Sequence, residues 1–263
     1  MNGKRLAVIL VVLLLVVAPL SYVAYALHNY GRLINPGTPK GVERYAVIYA
    51  SDQFYVLTEE QYRELLQNGT KLPEGAQVFN ITLESYLTGS PKVDLNLTLR
   101  SFYDYFTIVL GSPSVINCKD NPNLYVGNCE YRTLSVSEIS ALVSNLFSVN
   151  YYLKGLEMGY DNATAKQYAF NQTWLRFRKT YLNFWTKFDL GRGKIGNEKN
   201  LAVLLIGPAE GAEKNAVFVP RKGVLVIEGT TDETIRAEIV LIENVIGFQW
   251  PKSNQTKMVQ ITG

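Results

Sequence analysis

Leu6–Leu27 is an unbroken run of 22 residues without a charge, preceded directly by Lys4 and Arg5. It constrains the chain more than any other stretch. A helix needs about 20 apolar residues to cross a hydrocarbon core of about 30 Å. Tyr22 and Tyr25 fall near its far end, where interfacial rings are expected. Lys4, Arg5 and the α-amino group crowd the short amino-terminal side, and Arg32 is the only Lys or Arg beyond the run before Lys40. The positive-inside rule therefore predicts a single-pass cell-membrane protein with a cytoplasmic N-terminus and an extracytoplasmic C-terminal domain. The rival is a cleaved signal peptide, with Leu6–Ala18 as its apolar region and Pro19 as breaker. Ala24-Tyr25-Ala26 would then be the small-x-small site that releases a secreted protein near Ala26. Both readings export the same domain.

An exported chain meets an oxidising environment. Cys118 and Cys129, the two cysteines present, bracket a short polar stretch and are expected to form a disulfide. Asn68, Asn80, Asn96, Asn162, Asn171 and Asn254 each begin an Asn-x-Thr acceptor with no intervening Pro, and all follow the apolar run. An N-glycosylated cell-surface protein is the expectation.

Residues 1–27 are followed by a stretch, 28–44, that contains Gly31, Pro36, Gly37, Pro39 and Gly41 and reads as a linker or stalk. Residues 45–263 are long enough for one extracytoplasmic α+β domain with a buried core. In its strand-rich part, 45–134, residues 45–50 and 54–57 form a predicted hairpin. Thr58 with Gln61 is a capping box that opens a helix. A strand is expected over 77–82. Val93, Leu95, Leu97 and Leu99 alternate with polar residues and predict a half-buried strand over 93–99.

Residues 135–188 predict an antiparallel αα-hairpin. Ser135 and Glu138 form its first capping box, and Ile139, Leu142, Leu146, Val149, Leu153 and Leu156 follow at three- and four-residue spacing. Asn162 is the expected cap of the partner helix. Phe170, Trp174, Phe177, Tyr181, Phe184 and Phe188 repeat that spacing as a second seam, expected mainly in the core. The sharper reading places Phe170, Trp174, Phe177 and Tyr181 on a surface for a glycan or protein partner. Residues 189–263 predict a ββ(β)α unit and a tail. Its strands are 201–206, 216–219 and 223–228. Its helix is capped by Thr230 with Glu233 and carries the stripe Ile235, Ile239, Ile242 and Ile246.

Catalytic signals are weak. His28 is the only histidine and stands beside the apolar run, which removes histidine bases and His-based zinc sites from the domain. Gly191, Gly193 and Gly196 spell G-x-G-x-x-G but follow a helix and precede a strand, the reverse of a dinucleotide fingerprint. Gly207, Gly211 and Lys214 lack the spacing of a phosphate-binding loop. No cofactor or metal is expected. Beyond the targeting segment, basic and acidic residues nearly balance, which leaves no electrostatic footprint for nucleic acid. The expected function is a membrane-anchored structural or protein-interaction role in the cell envelope. The alternatives are a glycan-binding module and a surface hydrolase using carboxylates such as Asp94, Asp104, Asp120 or Glu130.

Overall fold

The computed structural model describes residues 43–50, 53–67, 77–112, 115, 118 and 120–248. The apolar run Leu6–Leu27, the stalk up to residue 42, Asn68, Asn254 and the tail lie outside the described residues. Among the described residues no helix is long and apolar enough to cross a membrane.

One eight-stranded sheet runs through the domain in the order β2-β1-β3-β7-β8-β6-β4-β5. Its strands are β1 (Glu43–Ala50), β2 (Gln53–Thr58), β3 (Gln77–Ser85), β4 (Tyr105–Leu110), β5 (Phe177–Tyr181), β6 (Asn200–Ile206), β7 (Ala216–Arg221) and β8 (Val224–Glu228). β8, β6, β4 and β5 are parallel neighbours. β1 pairs antiparallel with β2 and β3, and β7 antiparallel with β8, while β3 and β7 are parallel. The α+β expectation holds at the level of a mixed sheet with helices.

The helices are α1 (Glu59–Gln67), α2 (Pro91–Arg100), α3 (Cys129–Glu157), α4 (Asn162–Arg176), α5 (Phe184–Gly191) and α6 (Asp232–Val245). The larger core joins one face of the sheet to α2, α3 and α6, and includes Ile108, Val203 and Ile227 from strands with Leu99, Ile139 and Ile239 from helices. On the other face a smaller core of Val109, Leu204, Phe218 and Val226 takes Leu190 from α5. β6 is buried on both faces, which is why Leu201–Ile206 is a continuous apolar run rather than an alternating one.

Several expectations hold as local chemistry requires. The Thr58 amide donates to Gln61 Oε1 at 3.0 Å and the Gln61 amide to Thr58 Oγ1 at 3.1 Å, the reciprocal bonds of a capping box. The isoleucine stripe of α6 is buried, and the helix stops ahead of Gly247, whose φ is 61°.

Others are corrected. Residues 93–99 are helical, not extended. Pro91 opens α2, where its missing N–H costs nothing, and Leu95 and Leu99 are buried while Val93 and Leu97 face out. Alternating leucines satisfy both periods, and packing selects the helical one. α3 begins at Cys129, well before Ser135, because the Asn128 side chain accepts from the Glu130 and Tyr131 amides. Ser135 instead donates to the Tyr131 carbonyl, and Glu138 pairs with Arg236 at 3.3 Å. Asp161, not Asn162, caps α4, and Thr231, not Thr230, caps α6. Thr230 donates to Asn215 instead.

The largest correction concerns the second helix of the hairpin. α4 does pack on α3, closely enough that a Cβ on Gly155 would stand 3.2 Å from the Cα of Ala165. It stops at Arg176, however, and Phe177–Tyr181 is the edge strand β5, paired with β4. The expected aromatic seam is therefore cut into helix, strand and helix.

Candidate interaction surface and a buried ionic cluster

In open sheets with parallel strands, ligands commonly bind beyond the carboxyl ends. Here β4, β6 and β8 end in Leu110-Gly111, Ile206-Gly207 and Glu228-Gly229. The chain fills the space beyond β6 with its own polar groups. Arg132, on α3, is fully buried, and its Nη2 donates to the Leu205 carbonyl and to Glu210 Oε2, both at 3.1 Å. Its Nη1 lies 3.9 Å from Asp232 Oδ1. Asp232, the first residue of α6, also accepts from Tyr125 Oη at 2.8 Å and the Asn128 amide at 2.8 Å. The Gly207 amide donates to Glu210 Oε2 at 2.7 Å. A Cβ at Gly207 would lie 2.6 Å from Arg132 Nη1, so a side chain there would displace the guanidinium.

The disulfide closes this corner. Cys118 and Cys129 are bonded, with Cα atoms 5.7 Å apart, which fits an extracytoplasmic domain. The bridge holds the segment carrying Tyr125 and Asn128 over Asp232. Burial raises Asp232 above the ordinary carboxylate range, against the Tyr125 hydrogen bond and the Arg132 charge, which both lower it. The sequence reading missed this cluster. Its one linear signal is Arg132 itself, which continues the buried stripe of α3 backwards from Val136 and Ile139.

The carboxylates considered for a hydrolase sit in different settings. Asp94 is buried and accepts from Ser85 and the Thr88 amide. Burial raises its pKa, but these hydrogen bonds outweigh it and leave the group below the usual range. Asp104, Asp120 and Glu130 are exposed. Among the described residues no group of three or more metal-ligating side chains is present. Gly193 and Gly196 sit in the loop after α5, with φ of 69° and 65°, and Lys214 faces Glu84 at 3.4 Å.

Glu238 on α6 is a costly group to bury. It is fully enclosed, and among the described residues neither carboxylate oxygen has a hydrogen-bond partner. Burial, reinforced by the nearby charge of Glu228 and opposed by the Ala216 backbone, raises it well above its ordinary value of 4.5. The folded state thus favours the protonated acid. Stability from this group is fully present below pH 4.5 and is lost as pH rises through the elevated folded value. Glu238→Gln, which cannot ionise, should flatten that decline in thermal unfolding followed by circular dichroism across a pH series. Parallel profiles for variant and parent would refute the assignment.

The acceptor asparagines divide by environment. Asn80 on β3 and Asn162 and Asn171 on α4 are exposed. Asn96, on α2 rather than on a strand, is half-buried; its amide donates to the Lys92 carbonyl and its oxygen accepts from Arg100.

The four residues considered as an interaction surface separate into two pairs. Phe177 and Tyr181 pack against the larger core, Phe177 with its ring 5.2 Å from that of Phe106. Phe170 and Trp174 stand out in solvent, 63% and 72% exposed, with Leu175 beside them at 72%. The inner face of α4 is built from Ala165, Ala169 and Thr173. Small residues inside and large apolar residues outside reverse the usual amphipathic arrangement. Beyond β5 the pattern recurs: α5 buries Thr186 and Leu190 and exposes Phe184 and Trp185, the latter at 68%. Their rings are 5.4 Å apart, and each lies 6.1 Å from Phe188. Between these groups, Arg178 and Lys179 are exposed on the edge strand, the Arg178 guanidinium 4.5 Å above the Tyr105 ring.

Compared with protein-family models, curated proteins and solved structures, the chain matches none of them.

Proposed function

We propose that this chain is a membrane-anchored, N-glycosylated extracytoplasmic protein whose α4–β5–α5 edge is an interaction surface in the cell envelope. The observation that carries the reading is the reversal of α4, with alanines packed inward and Phe170, Trp174 and Leu175 left in solvent. Exposing such rings lowers solubility and contributes nothing to the core, so they are explained by what they touch outside the domain. The Leu6–Leu27 run supports anchoring, and the Cys118–Cys129 bridge supports an oxidising exterior.

Intact mass of the protein taken from native membranes tests the topology. The expected chain retains residues 1–26, loses mass on deglycosylation and gains two hydrogens on reduction. An unglycosylated chain with free thiols would refute the exterior placement. A mature start near Leu27 would refute the anchor.

A further inference from the structure

We infer that the partner of the α4–β5–α5 edge is an anionic lipid surface, namely the outer leaflet of the membrane in which the chain is anchored. The inference rests on the anchored reading above and adds the chemistry of what the edge touches.

Charge and aromatic residues coincide there. Residues 162–191, the edge itself, hold Lys166, Arg176, Arg178, Lys179 and Lys187 against Asp189 alone, whereas the whole chain carries 26 basic and 23 acidic residues. The overall near-balance hides one basic segment. That segment also displays Trp174, Leu175, Phe184 and Trp185 at high exposure. Tryptophan and phenylalanine beside lysine and arginine suit the headgroup boundary, where rings enter the interface and cations meet lipid phosphates. A purely apolar protein partner would not select the cations, and a nucleic acid would not select aliphatic Leu175.

The short tether makes weak lipid contact effective. Residues 28–42 separate the apolar run from β1 and can extend at most about 50 Å. A domain held so close meets the bilayer at a high effective concentration. The docked edge leaves no room for a glycan at Asn171, about one helical turn before Trp174. Thr173, the third residue of that acceptor, is buried in the folded helix. Asn171 is therefore expected to be unmodified.

The test uses the full-length chain with Trp250→Phe, which leaves Trp174 and Trp185 as its tryptophans. The chain is reconstituted into vesicles of phosphatidylcholine alone or mixed with phosphatidylglycerol, each with brominated acyl chains that quench nearby indoles. Quenching of about half the emission is expected in the anionic vesicles, falling at high salt and in Arg178→Glu with Lys179→Glu. Those two side chains are exposed, and an unchanged thermal midpoint verifies the fold of the variant. Vesicles that carry the chain on flotation while its emission stays unquenched would overturn lipid docking and leave the anchor standing. A chain that fails to float with vesicles would overturn the anchor and, with it, the inference. Equal quenching in both lipids would overturn the anionic assignment. A glycan found on Asn171 would also overturn the docked arrangement.

Discussion

Arg132→Met is expected to lower the stability of the domain by about 3–5 kcal/mol in urea unfolding, the cost of removing one partner from a buried ion pair. The substitution roughly preserves volume, so the effect is electrostatic rather than a cavity. It strips Glu210 Oε2 of its cation and leaves the Leu205 carbonyl without its side-chain donor. Asp232 keeps Tyr125 and the Asn128 amide, whereas Glu210 Oε2 keeps only the Gly207 amide, which places the heavier loss on Glu210. Arg132→Met combined with Glu210→Met should therefore recover part of the loss, because no uncompensated charge remains at that position. Arg132→Lys should behave nearer to the Met variant than to the parent, since a single ammonium cannot reproduce the fork. If all three variants unfold at the parental denaturant concentration, the cluster has no structural role.

Replacing both Cys118 and Cys129 by Ser should cost roughly 3 kcal/mol, the chain-entropy contribution of closing a loop of this size. The consequence should also be local. Cys129 is the first residue of α3, Asn128 caps that helix, and Tyr125 reaches Asp232 across 107 positions of sequence. Opening the bridge frees the segment that carries both contacts. Amide hydrogen exchange at Tyr125–Cys129 and in the first turn of α6 should accelerate more than at β6. Uniform acceleration across the sheet would mean that the bridge stabilises only through the unfolded chain. Identical unfolding with and without reductant would remove it as a stabilising element.

Both effects depend on contacts that a linear reading cannot see. Arg132 meets Glu210 and Asp232, the nearer of them 78 positions away in sequence. The period of α3 puts Arg132 on the buried face with Val136 and Ile139, but nothing within the helix says which carboxylates will meet it there. The capping box at Thr58, by contrast, joins residues three apart and is readable directly from the chain.

The aromatic seam shows the same division. Its spacing is a real repeated signal, but a single helical period carries it across two changes of structure. Phe177–Tyr181 becomes a strand because β4 offers a free edge, a pairing that brings Phe106 to Phe177. The exposure of Phe170 and Trp174 follows from how close α4 lies to α3, where Ala165 meets Gly155 and only small side chains fit. The sequence puts rings on α4, and packing decides which way they point.

Near-neighbour chemistry is enough to specify the hairpin of β1 and β2, the continuous apolar strand β6, the stripe of α6 and the two cysteines eleven residues apart. The helical state of Pro91–Arg100, the edge strand β5, the burial of Arg132 and the outward aromatic face of α4 emerge only in the folded domain. The first group is set by hydrogen bonds and burial periods that span a few residues. The second is set by contacts that exist only after distant segments have met, when sheet edges, ion pairs and close helix approaches outweigh local preference.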